Sequence, residues 1–130
     1  AFICAQQWPY NPGHVLIIPR LHYENIYDLP DHLAGKIHSA ARRISIAMKQ
    51  AYQCDGISTR QHNEKYGDQE VWHYHLHVFP RFMGDSLYEI PEGDIMPVNE
   101  RAGYAALLRA FLEKEKRDRP LSNPSIFKAP

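Results

Sequence analysis

The segment Trp72, His73, Tyr74, His75, Leu76, His77, Val78, Phe79 constrains this chain more than any other. Its histidines stand at alternate positions, and an extended strand puts alternate side chains on one face. The spacing predicts a strand over Val71 to Phe79 that mounts His73, His75 and His77 together. Trp72, Tyr74, Leu76 and Val78 would pack on the core from the opposite face and fix the register. Three of the chain's eight histidines fall in these five positions. Solvated strand faces usually carry Thr, Lys, Glu or Ser, so the pattern points to chemistry.

Three readings compete: a polar solvated face, a metal site, and an anion site with covalent catalysis. At ~3.3 Å per residue the outer histidines lie ~13 Å apart, so one zinc with ligands at ~2.1 Å takes two neighbours. A third ligand would have to come from elsewhere, such as His14 or Asp68. A phosphate chain, by contrast, is itself extended. Imidazole, with an unperturbed pKa of about 6.5, is largely neutral and nucleophilic near neutral pH, while a protonated neighbour binds phosphate oxygens. Anion handling is the favoured reading, and it requires no metal.

The rest of the chain supplies a scaffold. With 15 basic and 15 acidic residues and 44% hydrophobic content, the 130 residues suit one globular domain and argue against disorder. Zero formal charge and no long basic run argue against a nucleic acid polymer or an anionic membrane as partner. The longest aliphatic run is Val15 to Ile18, far below the ~20 apolar residues of a membrane helix. Cys4 and Cys54 form no disulfide framework or zinc clip, so a cytoplasmic setting is expected.

Asn11, Pro12 and Gly13 form a turn before a buried strand, Val15 to Ile18, which Pro19 closes. From Pro30, Leu33, Ile37, Ala40, Ala41, Ile44, Met48 and Ala51 recur at helical spacing. Ile57 to His62 and Val71 to Phe79 flank a short polar loop and predict an antiparallel hairpin. Tyr104, Leu107, Leu108, Phe111 and Leu112 form a second helical stripe, with Glu113 to Arg119 as its charged, frayed end. The prediction is an α+β single domain over residues 1–119, with a mostly antiparallel sheet of about five strands and two helices. Residues 120–130 read as a C-terminal tail, and an N-terminal element is expected to precede Ala1.

The run His73, Tyr74, His75, Leu76, His77, Val78, Phe79 resembles the His-φ-His-φ-His-φ-φ signature of the histidine triad (HIT) family of nucleotide hydrolases and transferases. A second block, Pro12, Gly13, His14, Val15, Leu16, Ile17, Ile18, Pro19, Arg20, resembles that family's Pro-Gly-His strand. Asn63 and Gln69 stand at suitable places between the blocks, and the likeness covers about Ala1 to Arg81. It implies that His75 attacks the α-phosphorus of an adenylated compound and carries the nucleotidyl group until water releases it. His77 and His14 would contact phosphate oxygens, His73 would orient His75, and Asn63 and Gln69 would reach the phosphate or the leaving group. Gln6 would take the ribose hydroxyls, and Ile3 and Cys4 would touch the base of a purine nucleotide.

The resemblance further implies a homodimer and no cofactor. Glu70 departs from the family pattern, standing where a small hydroxyl residue is common, and by charge favours a cationic amine as leaving group. A nucleoside phosphoramidate is therefore slightly favoured over a dinucleoside polyphosphate, with a non-catalytic nucleotide-binding or sensing module as the alternative. His22, His32, His38 and His62 read as surface or hairpin histidines. Trp8 and Tyr10 read as packing over a turn or lining the base pocket, and Arg81 as a solvated strand end.

Overall fold

A computed structural model of the chain describes residues 1–4, 11–87 and 95–118. Four strands form one antiparallel sheet: β1 (Phe2–Ile3), β2 (Val15–Ile17), β3 (Gly56–Arg60) and β4 (Leu76–Arg81), in the order β1-β2-β4-β3. Two helices, α1 (Asp31–Ala51) and α2 (Val98–Asp118), complete the α+β architecture. The described residues thus hold four strands where about five were expected.

Helix α1 begins where its sequence favours a start. Pro30 occupies the N-cap in an extended conformation, φ −61° and ψ 141°, and its carbonyl accepts from Leu33 and Ala34 N–H at 2.8 and 3.0 Å. Asp31 in the first turn and Lys49 in the last complement the helix dipole. Ile37, Ala41, Ile44, Ala47 and Met48 make its buried face. That stripe covers one side of the sheet, meeting Ile3, Val15, Ile17, Leu76 and Val78 in a single core to which α2 adds Leu108. Leu107, assigned to the core stripe from sequence, is half exposed.

The turn before β2 is tied to both helices. Gly13 has φ +84°, and a Cβ there would lie 2.7 Å from Tyr104 Cδ1 and 3.0 Å from Tyr52 Cε2. Only glycine combines that dihedral with that clearance. Tyr52 and Tyr104 meet edge to face at 5.3 Å, and the Tyr52 hydroxyl donates to the Tyr104 carbonyl at 3.2 Å. The turn that presents His14 is therefore wedged between the end of α1 and the body of α2.

The expected hairpin is present: β3 pairs antiparallel with β4, Arg60 opposite His77 and Ser58 opposite Phe79. The strand expected from Val71 begins only at Leu76. Pro19, just beyond β2, has no N–H to continue the ladder. Segment 71–75 is held differently, with Tyr74 N–H donating to the Tyr23 carbonyl at 2.6 Å and His73 N–H to that of Val71 at 2.9 Å. Tyr74 remains buried as its parity requires, but Trp72 is 49% exposed and does not pack on the core. Residues Ala5 to Tyr10, and with them Gln6, Trp8 and Tyr10, lie outside the described residues, as do Arg119 and the tail of 120–130. Among the described residues no helix is long and apolar enough to cross a membrane.

Candidate active site

The sheet face away from the helices is built in lateral rows. Register places Phe2 of β1, Leu16 of β2, His77 of β4 and Arg60 of β3 side by side. Cα partners in neighbouring strands share a face, so this row runs from an apolar end to a cationic one. In the next row Cys4 N–H donates to the His14 carbonyl at 2.9 Å, and the His14 ring lies 4.8 Å from that of Phe79. A cleft of about 790 Å³ opens over these rows, and its lining includes Phe2, Leu16, Ile18, Arg60, His75 and His77. That volume suits a nucleotide-sized ligand.

Each triad histidine is oriented by a specific partner. His75 Nδ1 lies 2.8 Å from the carbonyl of His73. A carbonyl only accepts, so Nδ1 carries the hydrogen and Nε2 of the neutral ring keeps its lone pair. His73 Nε2 lies 3.2 Å from the Pro19 carbonyl and must donate, which leaves its Nδ1 to accept from His22 Nδ1 at 3.1 Å. His77 Nδ1 meets His14 Nε2 at 3.4 Å, and the His77 ring stacks 5.2 Å from Phe79 with the planes 8° apart. The three rings are thus carried by the β4 strand and the segment just before it, and all three line the cleft.

Depth sets the charge. His14 is 0% exposed, and burial first, then the nearby Arg60 guanidinium, lowers its pKa to about 4. Burial lowers His77 to about 3, reinforced by His14, His75, Arg60 and His62. Both are neutral at pH 7, able to donate or accept hydrogen bonds but carrying no charge.

The sequence-derived residues divide sharply. His73, His75, His77 and Cys4 line the cleft, and His14 stands directly behind His77. Ile3 does not: it is 9% exposed and points into the core on the other face. Its neighbour Phe2 takes the cleft position, because a one-residue step along a strand reverses the side chain. Gln69 is buried in the loop, accepting from Glu64 N–H at 2.8 Å and donating to the Glu24 and Val71 carbonyls at 2.6 and 3.1 Å. Asn63 Oδ1 accepts from Ile26 N–H and from the Gln61 amide, both at 2.9 Å. In this structure both amides brace the loop around the cleft instead of lining it.

Glu70, expected near the leaving group, lines the cleft from the loop together with Asp68 and Val71, whereas Arg60 and His62, which line it from β3 and the residues just beyond, carry no such signal in the sequence. His62 is a hairpin residue, as expected, but it also faces His77 with ring centroids 6.5 Å apart. His22 is exposed, as expected of a surface histidine, and in addition pairs with His73. Arg81 is no solvated strand end: it forms a salt bridge with Asp85 at 2.5 Å and donates to Ser58 Oγ at 3.1 Å. The usable signal for Arg60 was its parity with His77 across the hairpin, which becomes readable only once the register is known. Among the described residues no group of three or more His, Cys, Asp or Glu side chains is arranged to hold a metal ion.

A sheet face carrying alternate histidines, with a buried histidine after a Pro-Gly turn, defines a histidine triad protein. Residues 1–84 match the HIT domain family, and the chain belongs to that family. It is 38% identical to a HIT-like protein of Saccharolobus solfataricus over 112 residues, 85% of this chain and 78% of that one. It is 37% identical to a Saccharomyces cerevisiae protein named adenosine 5'-monophosphoramidase over 81 residues, covering 62% of this chain and 48% of that one. The chain thus spans about half the length of the yeast protein. Among solved structures, a HIT-like protein from Bartonella henselae superposes with a TM-score of 0.70 at 31% identity, over 85% of this chain and 75% of that one.

Proposed function

We propose that the chain hydrolyses an adenylated small molecule through a covalent nucleotidyl intermediate on His75. The observation that carries this reading is the His75 Nδ1 to His73 carbonyl bond, which turns the Nε2 lone pair into the free nucleophile of the cleft. Nε2 attacks the α-phosphorus, the P–N or P–O bond to the leaving group breaks, and that group departs with the bonding pair and takes up a proton from solvent. Water then attacks the same phosphorus and gives up a proton to solvent, the P–Nε2 bond breaks with its pair returning to Nε2, and the free nucleotide and His75 are regenerated. His77 lines the cleft, and with its Nδ1 accepting from the neutral His14 behind it, its Nε2–H is left as a donor to the phosphoryl oxygens. The apolar row of Phe2, Leu16 and Ile18 suits the face of the base.

Glu70 lines the cleft and favours an amine leaving group, so a nucleoside phosphoramidate is the preferred substrate class. The yeast relative named a phosphoramidase supports this preference. The same reading takes residues 1–119 as the working domain, in a cytoplasmic homodimer that needs no metal.

The test is hydrolysis of adenosine phosphoramidate and of diadenosine polyphosphates with a chelator present, by wild type and His75→Ala, with acid-quenched mass spectrometry. Turnover of wild type, its loss in the variant and an adduct on His75 are expected. A wild type that turns over none of these compounds and forms no adduct would instead assign the chain to nucleotide binding without catalysis.

A further inference from the structure

We infer that Arg60 is the fixed positive charge that holds the phosphoryl group of the ligand in this cleft. The inference rests on the reading of the cleft as a nucleotide site, and it addresses a charge deficit in that site. A phosphate group brings negative charge, and pentavalent displacement spreads it over the equatorial oxygens. His14, fully buried, and His77, half-buried in the cleft lining, cannot answer it with charge, because desolvation keeps both neutral at pH 7. Asp68 and Glu70 on the loop add carboxylates to the same lining.

Arg60 is the one lysine or arginine among the described residues that line the cleft. Its place is set by backbone pairing: it stands directly opposite His77 across the β3–β4 ladder, on the cleft face. The guanidinium carbon lies 5.4 Å from the centroid of Phe79, whose buried ring gives it a flat, apolar support. It is close enough to His14 and His77 to oppose protonation of both. The other arginine on this face, Arg81, is committed to Asp85 and Ser58.

A planar guanidinium keeps its charge at every working pH and can grip two phosphate oxygens at once. One residue thereby serves two ends: it supplies the charge that the neutral histidines lack, and by its field it helps to keep them neutral. Arg60 also stands at the opposite end of its row from Phe2, so base and phosphate would be recognised at opposite edges of the sheet.

Arg60→Gln and Arg60→Lys should be compared with wild type for binding of AMP and of adenosine by calorimetry. The expected result is that Arg60→Gln weakens AMP at least about tenfold while adenosine is unchanged, with Arg60→Lys in between. The salt dependence of AMP binding should also flatten in Arg60→Gln. Equal losses for AMP and adenosine would mean a merely structural role and overturn the inference. So would AMP bound as tightly by Arg60→Gln as by wild type, or a wild type that prefers adenosine to AMP. Turnover is not part of this readout. A protein that binds AMP through Arg60 but forms no His75 adduct would refute the catalytic reading and leave this one standing.

Discussion

At the scale of single residues, parity decides role. Phe2 and Ile3 are adjacent and both apolar, yet one lines the cleft and the other is in the core. Ile3→Ala should therefore cost about 2–4 kcal/mol of stability by opening a cavity, with KM for the nucleotide nearly unchanged. Phe2→Ala should do the reverse, raising KM several-fold at little cost in melting temperature, because Phe2 is already 48% exposed. Thermal melts and steady-state kinetics on the pair separate the two. If Ile3→Ala raised KM and Phe2→Ala did not, the assignment of faces would be wrong.

At the scale of elements, the Pro-Gly-His turn shows how a strand end is aimed. Gly13→Ala must adopt φ +84° with a side chain and push against the Tyr104 ring at 2.7 Å. Its expected cost is on the order of 2–3 kcal/mol in chemical denaturation, and it should shift His14 enough to lower activity as well. A variant as stable and active as wild type would show that the turn relaxes freely. The element level also shows what was legible from sequence. Alternation gave the face of His75 and His77, and helical spacing gave α1 almost to its ends, because both are local periodicities.

Three features were not local. The start of β4 at Leu76 falls where its partner β2 ends at Ile17, just before Pro19, the inward turn of Gln69 depends on carbonyls of Glu24 and Val71, and the presence of Arg60 in the cleft depends on hairpin register. No single segment carries that information, and so the sequence alone does not show that Asn63 and Gln69 hydrogen-bond within the loop around the cleft.

For the whole molecule, the site makes the fold acid-sensitive. His14 has a folded pKa of about 4 and His77 of about 3, both below the unfolded value near 6.5. Between these values the unfolded chain binds more protons, so stability rises with pH and falls as pH drops from about 6.5 toward 4 and below. For His14 alone, which is fully buried, the shift is equivalent to about 3 kcal/mol; the contact with His77 means that the two contributions do not simply add. Asp85 acts in a lower window. The hydrogen bonds from Arg81 hold its carboxyl well below the usual carboxylate range, so the stability it contributes is lost only as pH falls beneath about 4. Denaturation at pH 7, 5.5 and 4.5 should therefore show a steep loss that belongs to the histidines. His14→Gln, which cannot take up a proton, should flatten that slope while lowering stability at pH 7, and Asp85→Asn should leave the slope in this window unchanged. An unaltered slope in His14→Gln would mean that His14 is not the group protonated on unfolding, and that the neutral centre of the cleft is kept by His77 alone.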